Sequence, residues 1–439
     1  MKQKNNFPMY QWCKDLFPIC RSITGPGIKE TLRYFEKINK EFKRVKFKTG
    51  TKIFDWTVPS EWHIQDGYIS HLNSGKKFAN FKKNNLHVVN FSERINKILP
   101  LDILKNKIHT NKKLSKAIPY VTSYYKKNVG FCLKEQQRKK LKRGDYQIVV
   151  NSKFINGKVV NGFSKIRGKT KKVILLSSYL CHPSLANNEL SGPLVLLGLY
   201  DKIKKWKKRK FTYYFLINPE TIGSICFIHQ YKSHLKKHLE AGLVLTCLGG
   251  PKNILSYKKT RSGNSSLDKI FMNLNRQNKI KVREFDPTTG SDERQYNSAE
   301  LNLPVGQISR TLYGSYHQYH NSGDDKNFMK ISKIIKSINE IEKILKLNEN
   351  LKPLKRTMPF CEIQLGKRGL YPNINSFKTW KDSSDTILKR KKQLKILQYL
   401  FSYADGKHNI LDISNLSGFK INEIEKVLKI AIKRKLIKI

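Results

Sequence analysis

Apolar positions along the chain fall into distinct textures. From Tyr146 to about Leu347, short and nearly continuous apolar runs recur at Gln147–Val150, Lys172–Ser177, Thr212–Ile217, Gly242–Cys247 and Pro304–Gln307. Stretches with helical spacing, among them Gly192–Lys205 and Ser224–His238, separate several of these runs. Apolar strands joined by helices predict an α/β fold with a mainly parallel sheet covered on both faces. A last helix is predicted over Ile331–Leu347, where Ile331, Ile334, Ile335, Ile338, Ile341 and Ile344 share one stripe.

The flanking segments read differently. Phe7–Cys20 and Ile28–Ile38 have helical spacing, with Leu32, Tyr34, Phe35 and Ile38 forming the second apolar face. Arg21–Gly25 lies between them, and Pro26-Gly27 breaks the chain before the second helix. Over Thr51–Lys127, short β-prone runs (Ile53–Val58, Tyr68–His71, Leu86–Val89) alternate with turn residues, which predicts a small β-rich insertion. After the loop-rich Pro353–Pro372, helical patterns cover Thr386–Tyr403, Ile410–Leu416 and Asn422–Arg434, and a β-prone tail follows at Leu436–Ile439. Three helices and a strand in that order predict a winged helix-turn-helix. The expected layout is therefore an α/β domain of residues 1–50 and 128–350. Residues 51–127 form the inserted unit, and residues 351–439 the linker and winged helix.

Composition adds one anomaly. The 439 residues carry 86 Lys+Arg against 33 Asp+Glu, a formal net charge of +53. Such a balance fits an anionic partner such as nucleic acid. It also fits a solvated surface shaped by AT-rich codons, because Asn and Ile are abundant too and lysine runs through the whole chain. The second account is preferred. Seven cysteines without a CxxC pair argue against a disulfide scaffold and a zinc finger, so reduced thiols and a cytoplasmic location are expected. No apolar run reaches the ~18 residues of a membrane span, and no apolar stretch follows Lys2 and Lys4 as a secretory leader would need.

Four polar clusters could carry chemistry, the first two directly after predicted strands, where open α/β sheets place their sites. They are Cys181–Gly192, Asn218–Gly223, Gly290–Arg294 and Tyr316–Asp325. Singly, each has a structural reading: a helix cap at Glu220 or Asp292, a packed or solvated histidine at His182, His317 or His320. Together they supply two histidines and several carboxylates with no cysteine ligand, an N/O donor set suited to zinc. A glutamate not needed as a ligand could then activate a water.

The order of these motifs resembles that of the zinc aminopeptidases. More closely, the chain is similar to a bacterial family of aminopeptidase-like proteins with an inserted small domain and a C-terminal winged helix. The matching stretches are Leu16–Gly25, Phe54–Pro59, Pro119–Tyr125, Cys181–Ser184, Pro219–Gly223 and Gln364–Pro372. The resemblance implies that His182 and His320 are metal ligands and that Glu220 is the general base. It places Asn188 where those enzymes hold a metal-bridging aspartate, Thr221 on a ligand glutamate, and Thr246 or Cys247 on a further carboxylate. With most anionic ligands gone, a second ion would be poorly held. One zinc ion on His182 and His320, completed by Asn188, Asp292 or water, is expected. The implied activity is hydrolysis of a peptide or amide bond, with a short peptide or an N-acylated sugar as substrate and a link to polysaccharide biosynthesis. Arg294 or Arg310 could receive a substrate carboxylate. The alternatives are a binding or regulatory protein on the same fold and a nucleic-acid binder. For the winged helix, docking or homo-oligomerisation is favoured over nucleic acid, because the third helix carries Glu423 and Glu425 and little chain remains for a wing. No membrane partner is expected.

Overall fold

The computed structural model describes residues 8–371 and 385–439. Chain contacts divide it into two compact units, Met1–Ser265 with Ile280–Lys343, and Ser266–Lys279 with Ile344–Ile439.

The first unit is built on an eight-stranded mixed sheet. In spatial order its strands are Lys43–Lys48, Lys158–Ile166, Thr212–Asn218, Val173–Tyr179, Leu239–Leu245, Val305–Ser309, Leu255–Lys258 and Ile280–Arg283. The four central strands, from Thr212–Asn218 to Val305–Ser309, pair in parallel, as the continuous apolar runs predict. Antiparallel pairs flank them on both sides, so the sheet as a whole is mixed. Every residue of Val173–Tyr179 and of Val305–Ser309 is buried, which requires cover on both faces. Helices Ser191–Lys204 and Ile222–His238 follow strand ends, and the helix Ile331–Asn350 belongs to this unit as far as Lys343.

A second sheet of four antiparallel strands runs Lys77–Asn80, Glu61–His71, Asp145–Ile155, Ile95–Pro100. The run at Gln147–Val150 thus belongs here and not to the parallel sheet. Its alternation of buried Tyr146, Ile148 and Val150 with more exposed neighbours is the period of a half-buried antiparallel strand. Leu86–Val89, predicted as a strand, instead begins in a 3₁₀ turn at Asn85–His87, capped by the Asn84 side chain accepting from the Leu86 N–H. The N-terminal helices span Met9–Leu16 and Pro26–Ile38. Pro26 presets the first turn of the second, and Gly25 (φ +105°) precedes it. A Cβ at Gly25 would stand 2.1 Å from the Trp62 carbonyl oxygen, so only glycine lets the loop Arg21–Gly25 lie this close to the small sheet. Ile23, Trp62, Phe91, Cys181, Ile222 and Cys226 share one core cluster, which anchors that loop to the strand ends carrying the candidate chemistry.

The second unit contains helices Ser266–Arg276, Asp385–Tyr403, Ile410–Ser417 and Ile421–Lys433. A three-stranded antiparallel sheet places Pro353–Arg356 between Asp405–Asn409 and Ile437–Lys438. Leu354, Leu397, Leu400, Ile413, Ile424, Leu428 and Leu436 form its core. Within it, Ser266–Arg276 meets Ile410–Ser417 through Lys269–Asp412 (2.7 Å) and Asn273–Ser414 (2.9 Å). Pro353–Arg356, expected as linker, is therefore a strand. After it, Ile363 and Leu365 are buried in that core, and Lys367 is exposed on a short 3₁₀ turn, Gly366–Arg368. Brief trypsin digestion is expected to cut first near this segment, at exposed residues such as Lys367, since exposed connections are nicked before packed elements. Mass analysis showing first cuts only within Ile331–Asn350 would contradict it.

Candidate functional site

His182 follows the strand Val173–Tyr179, and Glu220 follows Thr212–Asn218, so parallel pairing brings the two to adjacent strand ends. Glu220 sits where the backbone is strained. Thr221 has φ 65° and ψ −74°, and the Ile222 N–H donates to the Glu220 carbonyl at 2.8 Å, a γ-turn of the less favourable hand. Ser184, Cys247 and His320 also have positive φ. Such non-glycine residues cost of order 1–3 kcal/mol each and concentrate where function holds them.

The residues between His182 and the next helix form a single π-turn, Ala186–Leu190, that runs into Ser191–Lys204. Asp324 shapes it. Its two carboxylate oxygens accept the N–H groups of Asn187 (2.6 Å) and Asn188 (2.8 Å), and its carbonyl accepts that of Ala186 (2.8 Å). Burial pushes the Asp324 carboxyl up to about 7, against the pull of those donors. Gly192 completes the seat, because a Cβ there would stand 2.2 Å from Ser178 Oγ and 2.3 Å from the Leu245 carbonyl oxygen. Asp324→Asn places an amide NH₂ against one of two buried N–H donors. It is expected to lower unfolding stability by about 1–3 kcal/mol, and an unchanged denaturant midpoint would remove this role.

His182 and His320 face each other with ring centroids 5.4 Å apart and planes at 41°. Tyr120 borders both, at 4.9 and 5.2 Å, and its N–H donates to the His320 carbonyl at 2.8 Å. His182 Nδ1 meets Glu189 Oε2 at 2.9 Å, and its Nε2 lies 3.7 Å from Glu220 Oε2. Burial and then the neighbouring His182 lower the His320 pKa to about 3, so this ring is neutral with a lone pair to offer. Burial works against charge on His182 as well, but Cys181 and Glu189 outweigh it and raise its pKa well above the usual value. The Glu220 side chain is 29% exposed. Desolvation raises its carboxyl above the ordinary range, opposed by His182 and by the Ser291 hydroxyl that donates to Oε1 at 2.6 Å.

Among the described residues, Cys181, His182 and Glu220 offer ligand atoms all within 4.8 Å of one another. The Cys181 thiol accepts the Glu220 N–H at 3.4 Å, and burial pushes its pKa up to about 11. Asn188 donates to the Tyr179 hydroxyl at 2.9 Å, while its buried Oδ1 has no hydrogen-bond partner among the described residues. An orphaned buried carbonyl oxygen on the π-turn that follows His182, together with two imidazoles of which His320 is neutral, is a donor set that suits zinc. Asp292 lies outside the group of Cys181, His182 and Glu220. Oδ1 accepts from the Thr221 N–H (2.6 Å) and Ser224 Oγ (3.1 Å), and Oδ2 from Asn218 Nδ2 (2.8 Å). These bonds tie Asp292 to the turn that carries Glu220. Burial and then the Glu220 charge push its carboxyl up to about 7.

Other expectations sort plainly. Arg310 is buried and bonded to Ser337 Oγ (2.9 Å), the Asn253 carbonyl (2.7 Å) and Glu340, so it has no free face for substrate. Arg294 keeps a buried Nε without a partner among the described residues. His317 is exposed, outside the pair formed by His182 and His320. Thr246 bonds the Tyr179 hydroxyl at 2.6 Å, and burial pushes the Cys247 thiol up to about 11, so neither supplies negative charge. Arg21, Glu189, Tyr120 and Asp324 are partners of the site that residue type alone does not announce, although all four lie within the marked stretches.

An α/β sheet with imidazoles and a glutamate at its carboxyl edge defines the class, an aminopeptidase-like fold. The chain belongs to the family described as domain of unknown function DUF4910, matched over residues 10–351, and residues 352–439 match a winged helix-turn-helix family. It is 37% identical over 420 residues to a Clostridium acetobutylicum protein whose name carries polysaccharide biosynthesis and an aminopeptidase-like domain, covering 95% of this chain and 93% of that one. The crystal structure of a Clostridium acetobutylicum protein described as a "putative peptidase" superposes with TM-score 0.82 at 36% identity, covering 98% and 95% of the two chains. A zinc aminopeptidase from Bacillus subtilis shares the fold, with TM-score 0.57 at 11% identity, covering 79% of this chain and 96% of that one. No helix among the described residues is long and apolar enough to cross a membrane.

Proposed function

We propose that the chain hydrolyses a peptide or amide bond at one zinc ion held by His182, His320 and the Asn188 carbonyl oxygen. The observation that carries this reading is the pairing of the two imidazole rings with Glu220 Oε2 3.7 Å from His182 Nε2, supported by the unpartnered Oδ1 of Asn188. Zinc bound there would polarise the scissile carbonyl and acidify a water. Glu220 takes the proton of the attacking water. Ser291 fixes Oε1, which leaves Oε2 toward His182, and desolvation gives the carboxylate a basicity closer to neutral pH. The protonated Glu220 then delivers that proton to the leaving amine. Asp292 holds the turn on which Glu220 is mounted, and Arg294 is the arginine left to meet a substrate carboxylate. The substrate class is a short peptide or an N-acylated sugar, the latter suited to polysaccharide biosynthesis.

The second reading is a binding or regulatory protein on this fold. It is favoured by Asn188, Thr221 and Cys247, which are neutral where the resemblance places carboxylates. For the C-terminal unit we favour docking or homo-oligomerisation over nucleic acid, since Glu423 pairs with Lys392 (2.6 Å) at the start of the third helix. The deciding experiment measures zinc content of the purified protein, then screens aminoacyl and N-acetyl compounds with zinc added. Stoichiometric zinc with turnover supports the hydrolase. Bound zinc with no turnover across the screen moves the assignment to the binding protein.

A further inference from the structure

His182 does not stand alone behind the site. Its Nδ1 is taken by Glu189 Oε2 at 2.9 Å, and Arg21 Nε lies 3.4 Å from Glu189 Oε1. Both charged side chains are fully buried. A buried carboxylate and a buried guanidinium are costly to desolvate and persist only when each compensates the other. The partners are distant in sequence. Arg21 comes from the loop between the first two helices, anchored by its Nη1 donating to the Leu16 carbonyl at 2.7 Å, and Glu189 comes from the π-turn that Asp324 shapes. Arg21 Nε and Nη2 and Glu189 Oε1 make no hydrogen bond among the described residues, so the contact works through charge and not through a forked pair.

We propose that Arg21 and Glu189 are a positioning pair that fixes the His182 ring with Nε2 presented to the site, and so sets how tightly the site holds metal. The proposal rests on the zinc reading above. With Nδ1 committed to Glu189, only Nε2 is free to face Glu220 and an incoming ion. The site is otherwise poor in anionic ligands, so the carboxylate behind His182 is the nearest source of negative charge on that ring. Orienting partners of this kind typically change metal affinity by 10–100-fold.

The test measures zinc affinity by chelator competition, and the visible spectrum of the cobalt-substituted protein, for the parent and three variants. Glu189→Gln keeps an acceptor for Nδ1 but no charge and is expected to weaken zinc binding by about 10–100-fold. Arg21→Lys keeps the charge beside Glu189 and should bind within a few-fold of the parent. Arg21→Met with Glu189→Gln removes both buried charges, so it folds even where a single variant does not, and it should show the same weakened affinity with an altered cobalt spectrum. Parent-like affinity and spectrum in the double variant would overturn the pairing while leaving the zinc site intact. A parent that binds no zinc would overturn both.

Discussion

Glu220→Gln is expected to keep its fold and its zinc and to lose hydrolysis by about 10²–10⁴-fold, the usual cost of removing a general base. The argument is one of atoms. Glutamine fills the same volume and can still accept the Ser291 hydroxyl hydrogen bond, 2.6 Å long in the parent. It cannot accept a proton from water, and its NH₂ would point toward His182, where a carboxylate oxygen now lies 3.7 Å from Nε2. The γ-turn at Thr221 is held by Asp292 through the Thr221 N–H and is untouched by the change, so a collapse of the loop is not the expected cause of lost activity. Circular dichroism and zinc content should match the parent, and the fall should appear in kcat more than in KM. Full activity in this variant would make Glu220 a helix-start carboxylate with no part in the chemistry.

The parts of the fold legible in the sequence are those where one physical rule acts alone. Val173–Tyr179, Thr212–Asn218 and Val305–Ser309 are buried on both faces, so they read as unbroken apolar runs, and the residues just past their ends could be picked out as site candidates. Lys158–Ile166 was illegible because Asn161, Gly162 and Ser164 interrupt it. Asn161 finds its partner only in three dimensions, where its Nδ2 donates to the Gly223 carbonyl at 2.7 Å. Lys43–Lys48 is an edge strand, and its lysines and arginine hide the alternation. In the site, His182 and Glu220 were readable from position, and His320 from the resemblance. Arg21, Glu189 and Asp324 were not, since a buried charge declares its purpose only through a partner, and Arg21 and Glu189 are 168 positions apart. Asp292 shows a related limit: the donors that tie its carboxylate to the Glu220 turn come from Asn218, Thr221 and Ser224, and that support cannot be read from its own cluster.

The metal assignment stands or falls on His320. Replacing it with alanine is expected to abolish zinc retention through gel filtration, as is His182→Ala. The two losses differ in kind. His182 is tied into the buried charges of Glu189 and Arg21, so its removal strips Glu189 of a partner, and some of the loss in that variant is structural. His320 carries no such load. Its pKa is lowered to about 3 by burial and by His182, so it enters the site neutral. Its backbone carbonyl accepts the Tyr120 N–H at 2.8 Å, a contact that does not depend on its side chain. Removing the ring deletes a ligand and its ring contacts with Tyr319 (3.9 Å) and Tyr120 (5.2 Å), but no buried charge loses a partner. Without it, the remaining neutral or tied-up donors, Asn188 Oδ1 and His182 Nε2, leave zinc at most two firm protein ligands where structural and catalytic sites use three or four. Equal zinc content in parent and His320→Ala, with His182→Ala empty, would shift the ion onto Cys181, His182 and Glu220, the three residues whose ligand atoms lie within 4.8 Å of one another. Glu220 would then be a ligand and no longer free to act as the base.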